Sequence, residues 1–213
     1  MAQSMKAISV DVISDVICPW CFLGKRSLDK AIALLDDIKV EVNWRPFFLD
    51  PTIPAEGMSR KTYLENKFGA ERLKTIHDPI LAAAKADGVP YAFDKITRTP
   101  NTMDAHRIIR WSHDGGKQHD VAERLFMAYF NGGLDIGDRA ILAKIAGDAG
   151  LDQSKISTRL ESDEDVDAVN VEVERAYRMG VTGVPCFIFA QKQGLMGAQP
   201  AEVLAEAIGK LAA

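Results

Sequence analysis

The sequence is poor in cysteine, with three in 213 residues. So few cysteines exclude the disulfide framework that stabilises small secreted domains. Two of them, Cys18 and Cys21, have only two residues between them, and a pair at this spacing is typical of redox chemistry or of half a metal site. With 47% hydrophobic and 26% charged residues, the chain has the composition of a globular protein that buries a sizeable core.

Long apolar runs and blocks of like charge are also missing. No run approaches the length of a membrane span, and residues 1–6 lead into a strand pattern without the apolar stretch of a signal peptide. The net charge is only -4, and no charged block marks a tail for nucleic acid or for a membrane surface. We therefore expect a cytoplasmic protein that binds neither nucleic acid nor membranes. The sequence carries no signal for an oligomeric state.

The first fifty residues have the order strand, helix, strand. Apolar and polar residues alternate over 7–13 and again over 39–47, which predicts a strand with one better-buried face at each place. Between the strands, Pro19 stands where a helix begins. Cys18 is therefore expected to cap that helix.

The last fifty residues return to mixed signals. A helical apolar period predicts a long helix over 163–179. A short apolar run predicts a strand over 186–190, which turns back into a second strand at 195–196. Pro200 opens a final helical pattern. The order at this end is helix, strand, strand, helix.

The middle of the chain, residues 51–159, shows helical patterns punctuated by glycine and proline. Together the three parts predict an α/β fold interrupted by a large all-helical insertion. We expect one discontinuous domain from residues 5–50 and 160–213, with the insertion at 51–159 and the substrate groove between the two.

The strongest chemical signal is the motif Cys18-Pro19-Trp20-Cys21 at the predicted junction of strand and helix. Two thiols so close can form and break an intramolecular disulfide. A thiolate at a helix N-terminus is stabilised by the helix dipole and by free backbone N–H groups, which makes Cys18 the expected nucleophile. Cys21 stands one turn inside the helix, so we expect it to be less exposed and to resolve the mixed disulfide formed at Cys18.

Neighbours of the pair carry weaker signals. Pro19 and Trp20 are candidates for substrate contact, although Trp20 is as well suited to packing on the insertion. Lys25 and Arg26 follow one turn later. They would add positive potential near a thiolate, but charged side chains at such positions usually face solvent.

A zinc site is the alternative interpretation of the cysteine pair. Cys186 and one of four histidines would complete the ligands. Structural zinc usually takes a second closely spaced pair, and the sequence has none, so we predict no bound metal. Cys186 is either a third redox thiol or a small buried hydrophobic residue, and the second role is the more common one for a lone cysteine on a strand.

A second candidate element is Val184-Pro185, directly before the predicted strand at 186–190. A bond preceding proline tolerates the cis form cheaply, and a cis turn would redirect the chain at the start of the strand. Base rates favour trans. Spacing alone leaves both isomers open.

Motifs along nearly the whole chain match one known family. The main ones are SDVICPWCFLG at 14–24 and GVTGVP at 180–185. Shorter matches stand at 45–49, 101–107, 125–130 and 135–138. In these motifs the chain resembles the DsbA-like family of thioredoxin-fold proteins, and within it the FrnE-type branch. The resemblance implies a thioredoxin fold with a helical insertion, a cis-proline at Pro185, and a Val184 backbone that faces the substrate.

The resemblance also implies a function. Family members oxidise, reduce or isomerise disulfides, so we expect a thiol-disulfide oxidoreductase that acts on protein or small thiol and disulfide substrates. It needs no organic cofactor, although glutathione is a candidate thiol co-substrate. The same branch resembles 2-hydroxychromene-2-carboxylate isomerases and kappa-class glutathione transferases. A glutathione-dependent isomerase or transferase is therefore the alternative function.

Overall fold

The computed structural model describes residues 6–212, with the backbone alone at Ala86. Residues 5 and 213, the outer ends of the predicted core, lie outside this range. The strands are β1 (Lys6–Ser14), β2 (Ile38–Pro46), β3 (Met58–Ser59), β4 (Arg98–Thr99), β5 (Cys186–Phe189) and β6 (Gln193–Met196). The helices are α1 (Pro19–Ala33), α2 (Arg60–Phe68), α3 (Asp78–Asp87), α4 (Met103–Trp111), α5 (Gln118–Phe126), α6 (Arg139–Asp148), α7 (Gln153–Leu160), α8 (Val166–Arg178) and α9 (Ala201–Leu211).

The main sheet has four strands in the order β2-β1-β5-β6. β1 and β2 run parallel and are joined by α1, while the two other pairs are antiparallel. A parallel pair needs such a crossover because a tight turn cannot bring the chain back to the starting edge. Alternate residues of β1, among them Val10 and Val12, are buried against α1 and its neighbours. The sheet and α1 therefore hold the first motif in place.

Helix α1 begins where the sequence predicts it. Cys18 occupies the N-cap in an extended conformation, and Pro19 is the first helical residue. Phe22 and Leu28 on the inner face have no exposed surface, and α9 packs beside the helix. The extended Cys18 turns the chain from the sheet into the helix, so both cysteines of the motif lie at one end of α1.

We call residues 51–159 the helical segment. It is mostly α-helical, but it is not all-helical as the sequence predicts. β3 and β4 form a small antiparallel sheet of two residues each. Short 3-10 helices cover Ala70–Lys74 and Phe93–Lys95, and a π-helical turn covers Met127–Asn131. Strands of two residues are too short to show alternation, so no sequence pattern indicates them.

A single cluster of buried side chains runs from the sheet into the helical segment. At its centre the ring of Phe22 stacks on Phe126 at 5.3 Å and on Phe130 at 5.9 Å between centroids. Stacked aromatic pairs add to the stabilisation from burial itself. The helical segment is thereby fixed against the helix that carries the cysteine pair.

Candidate active site

Both cysteines of the motif are buried. Cys18 is 3% exposed and Cys21 is 1% exposed, so the expected difference in exposure is slight. The Cys18 backbone N–H donates to the Asp15 carbonyl at 3.0 Å, which forms a tight turn after β1. All three cysteines are free thiols. The structure therefore has a reduced pair beneath the surface at the start of α1.

The surroundings of Cys21 keep it protonated. Burial raises the pKa of Cys21 well above its usual value, and the hydrogen bond with Cys18 and the charge of Cys18 raise it further. A thiol with a raised pKa attacks slowly unless its anion is stabilised. This suits Cys21 to a step that follows the first attack.

The segment at Val184 and Pro185 lies against the pair. Their peptide bond is cis. The Cys18 thiol donates to the carbonyl oxygen of Val184, with Sγ and O 3.6 Å apart. A Cβ on Gly24 would lie 2.9 Å from Cγ of Pro185, so α1 can approach this closely because residue 24 is glycine. The structure thus brings together the two motifs that stand 166 residues apart.

The two residues between the cysteines differ in exposure. Trp20 is 39% exposed, so part of its ring is open to the surface beside Cys18. Pro19 is half-buried. Its carbonyl oxygen accepts a hydrogen bond from the Tyr91 hydroxyl at 2.5 Å. The helical segment therefore contacts the cysteine motif directly.

Tyr91 is a site residue that no sequence motif indicates. Burial raises its pKa strongly, and negative charge on Cys18 and Cys21 raises it further. The phenol consequently stays protonated and remains a donor. Its ring meets Phe22 edge-on at 5.6 Å, so Tyr91 covers the first turn of α1. A lone tyrosine in a loop has no spacing from which this position could be inferred.

Asp15, within the motif, fixes the turn that precedes Cys18. Its carboxylate is 1% exposed. Oδ2 accepts from the Leu49 backbone N–H at 2.7 Å, and Oδ1 lies 3.5 Å from Nε2 of His106. His106 also lies 3.2 Å from the carbonyl oxygen of Phe47. Both side chains hold loops together, which is a structural role for His106.

Lys25 is buried, and the expectation that it faces solvent is wrong. Its side chain is 3% exposed, and Nζ lies 2.8 Å from Asp29 and 3.0 Å from Glu123. Burial of a lysine is tolerated when carboxylates pair with it. Glu123 belongs to α5, so this contact joins α1 to the helical segment. The partner is far away in sequence, and local patterns could not reveal it.

Cys186 is 4% exposed, as expected for a small hydrophobic residue. Burial raises the pKa of its thiol. It packs with Ile13 and Phe47 in a cluster separate from the one that holds Cys18 and Cys21. Within residues 6–212, no three His, Cys, Asp or Glu side chains gather into a group that could hold a metal. Over the same range, none of the helices has both the length and the apolarity of a membrane span.

Comparison with known proteins agrees with this arrangement. Residues 9–209 match the family model of the DsbA-like thioredoxin domain. The match extends over the cysteine motif, the Val184-Pro185 segment and the helical segment. The fold is therefore thioredoxin-like.

Individual proteins are similar over almost their whole length. YwbO, an uncharacterized protein of Bacillus subtilis (strain 168), is 29% identical over 94% of this chain and 96% of its own. The crystal structure of a probable DsbA oxidoreductase from Streptomyces coelicolor is 30% identical, with a TM-score of 0.84 over 96% of this chain and 89% of that one. A 2-hydroxychromene-2-carboxylate isomerase is 19% identical, with a TM-score of 0.73 over 95% of each chain. At that identity the likeness shows the fold alone.

Proposed function

The chain belongs to the DsbA-like thioredoxin family, and on that basis we propose that it is a thiol-disulfide oxidoreductase whose redox pair is Cys18 and Cys21. One observation carries the proposal. Two free thiols lie at the start of one helix, and the first of them contacts the Val184 carbonyl beside a cis-proline. The oxidoreductase named among the similar structures supports the same class of reaction.

The proposed cycle has two exchange steps. The Cys18 thiolate attacks one sulfur of a substrate disulfide, and the other substrate sulfur leaves as a thiolate that takes up the proton lost by Cys18. Cys21 then attacks the Cys18 sulfur, which breaks the mixed disulfide and releases the second substrate thiol. Two electrons pass from the cysteine pair to the substrate. In the reverse direction the same steps oxidise a dithiol substrate.

Substrate contact is assigned to the residues around the pair. Trp20 and Pro19 border Cys18 on the helix side, and the Val184 backbone with Pro185 borders it on the other side. Protein disulfides and small disulfides both suit such a site, with glutathione as a candidate thiol co-substrate. The proposal includes a cytoplasmic location and no organic cofactor.

The test uses glutathione disulfide as the probe and intact-mass spectrometry as the readout. Cys21→Ser should accumulate one glutathione adduct on Cys18, because the resolving thiol is gone. Cys18→Ser should trap nothing and lose turnover. Cys186→Ser is the matched control, since it removes a thiol from a separate cluster, and it should behave as the wild type. Disulfide turnover by Cys18→Ser would overturn the assignment.

The alternative is a glutathione-dependent isomerase or transferase. It is kept because the fold is shared with a 2-hydroxychromene-2-carboxylate isomerase. In that case Cys18 or its neighbourhood would activate glutathione without a redox cycle. A double variant with Cys18→Ser and Cys21→Ser separates the two functions, because only the alternative allows it to isomerise a small substrate in the presence of glutathione.

A further inference from the structure

The main sheet has two edge strands of different length. β6 has four residues, whereas β2 has nine and pairs with β1 on one side only. A short strand, a bulge or a proline usually keeps a sheet edge from pairing with another chain. β2 matches β1 residue for residue without a bulge, and its proline, Pro46, is the last residue. Over residues 38–45 the edge of β2 is therefore long and regular.

A side chain shows which backbone groups face this edge. Oε1 of Gln118 accepts from the Trp44 backbone N–H at 3.1 Å, and Nε2 of Gln118 donates to the Trp44 carbonyl oxygen at 3.5 Å. The side-chain amide thus pairs with Trp44 as a peptide group of a neighbouring strand would. Alternate residues of a strand direct their N–H and C=O groups to the same side, so those of Ile38, Val40 and Val42 also face outward. Among residues 6–212, no backbone group outside the sheet pairs with them.

The free part of the edge borders a groove of about 440 Å³. One wall is β2 itself at residues 40–43, and the others are Ile32 of α1 and the segment 113–119. His119 already pairs with Asp29 at 2.6 Å in this groove. The groove gives an added strand room beside β2, and Gln118 marks where that room ends.

The side chains of residues 38–42 are complementary to themselves in antiparallel order. Ile38, Val40 and Val42 are half-buried against the core, and the two residues between them are exposed on the opposite face. When a second copy of the strand is centred on the same Val40, Ile38 lies opposite Val42. Lys39 then lies opposite Glu41. Opposite charges that face each other across two strands stabilise the pair, whereas like charges destabilise it. A centre at Lys39 or Glu41 would place like charges opposite each other.

We propose that two copies of this chain form a dimer through their β2 edges, antiparallel and centred on Val40. The two four-stranded sheets then become one continuous sheet. The outward N–H and C=O groups of Val40 pair with the same groups of Val40 in the second copy. A two-fold axis repeats each contact, so Lys39 and Glu41 form two pairs in the dimer. Residues 18–21 do not line the groove, and the inference does not depend on the proposed function.

The test is sedimentation velocity on the full chain over a concentration series, with a reductant that excludes disulfide-linked dimers. The wild type should show a monomer–dimer equilibrium at concentrations up to about 1 mM. Lys39→Glu should raise the dissociation constant by about tenfold or more, because two pairs of opposite charge become two pairs of like charge. Lys192→Glu is the matched control. It makes the same charge change at an exposed position between β5 and β6, and it should leave the dissociation constant unchanged.

An exchange of charges tests the register. Glu41→Lys alone should weaken the dimer as Lys39→Glu does. An equimolar mixture of these two variants should form a heterodimer as tight as the wild-type dimer, since each glutamate then faces a lysine. The double variant with Lys39→Glu and Glu41→Lys should dimerise like the wild type for the same reason. Both positions are exposed, so the far-UV circular dichroism spectrum should stay unchanged in every variant.

Each failure of these results has a definite meaning. A wild type that remains a monomer up to about 1 mM would overturn the inference and leave the β2 edge to a strand from a different protein. A dimer that Lys39→Glu leaves intact, or that Lys192→Glu weakens equally, would overturn it because the interface then lies elsewhere. A mixture of the two single variants that stays monomeric would reject the antiparallel register about Val40.

Discussion

The α/β part of the chain, residues 6–50 and 160–212, and the helical segment contribute to the candidate site in different ways. The first supplies both thiols of the pair and the Val184 carbonyl. The second supplies no cysteine, yet its Tyr91 and Glu123 contact α1. The reacting groups therefore come from the α/β part, whereas residues of the helical segment, far away in sequence, contact α1 and bury the cysteine pair.

The two parts nevertheless share one core. Phe126 from the helical segment stacks on Phe22 and meets Trp44 edge-on at 6.1 Å. A core that crosses between two regions makes each depend on the other for burial of apolar surface. We therefore expect the two regions to unfold together, even though the chain of the α/β part is interrupted.

The largest expected effect comes from breaking this shared core with Phe126→Ala. Phe126 is fully buried, so the change should lower the free energy of unfolding by about 3–5 kcal/mol. Urea denaturation followed by tryptophan fluorescence and by far-UV circular dichroism should show one transition, with both signals changing together. Two separate transitions in the wild type would contradict the shared core.

The matched control for this substitution is Val171→Ala on α8. Val171 is 59% exposed, and loss of an exposed side chain usually changes stability by about 0.5 kcal/mol or less. Comparable destabilisation by the two variants would indicate that burial at the junction is not what stabilises the fold.

Local sequence patterns predict the elements of the α/β part better than they predict contacts between distant residues. The strands β1 and β2 and the start of α1 could be predicted, because alternation and a proline after Cys18 are local signals. Contact between the two motifs could be expected only through the family resemblance. Nothing local relates residue 18 to residue 184.

Other features could not be predicted at all. Lys25 is buried because Glu123 is its partner, and Tyr91 reaches Pro19 across 72 residues. In each case the property depends on which side chains meet in three dimensions, and neither composition nor periodicity encodes that.

A moderate effect should come from the charged contacts between the two parts. Asp29 on α1 lies 2.6 Å from Nε2 of His119 on α5. Burial alone would raise the pKa of Asp29, but the hydrogen bond with His119 and the charge and hydrogen bond of Lys25 outweigh it and hold the pKa below its usual range. A depressed pKa in the folded state means that this carboxylate stabilises the fold when ionised.

The contribution of Asp29 to the free energy of unfolding should decrease on acidification. The stabilisation is fully present above the unfolded pKa of about 3.9 and is lost as the pH falls through the lower folded value. Asp29→Asn should cost about 1–2 kcal/mol at neutral pH, and its stability should fall less steeply on acidification below about pH 5 than that of the wild type. Urea denaturation across a pH series measures both. Asp36→Asn, at an exposed aspartate, should retain the wild-type slope.

The smallest expected effect concerns access to the buried nucleophile. Cys18 is 3% exposed, so a reagent reaches it only when the cover opens. The Tyr91 hydroxyl ties the helical segment to the Pro19 carbonyl. A neutral hydrogen bond contributes about 1 kcal/mol, so Tyr91→Phe should raise the open fraction and the alkylation rate of Cys18 by about fivefold. Mass spectrometry at fixed pH, in a Cys21→Ser and Cys186→Ser background, measures that rate.

Tyr129→Phe is the matched control for this contact. Tyr129 is also a buried tyrosine of the helical segment, and its hydroxyl donates to the Arg98 carbonyl at 3.2 Å. The same hydroxyl accepts from Nη1 of Arg60 at 3.4 Å. Tyr129→Phe therefore loses hydrogen bonds that lie entirely within the helical segment, so it should leave the alkylation rate of Cys18 unchanged. Equal acceleration by both variants would show that general loosening exposes Cys18. No acceleration by Tyr91→Phe would show that the cover opens elsewhere, at the Val184 side of the thiol.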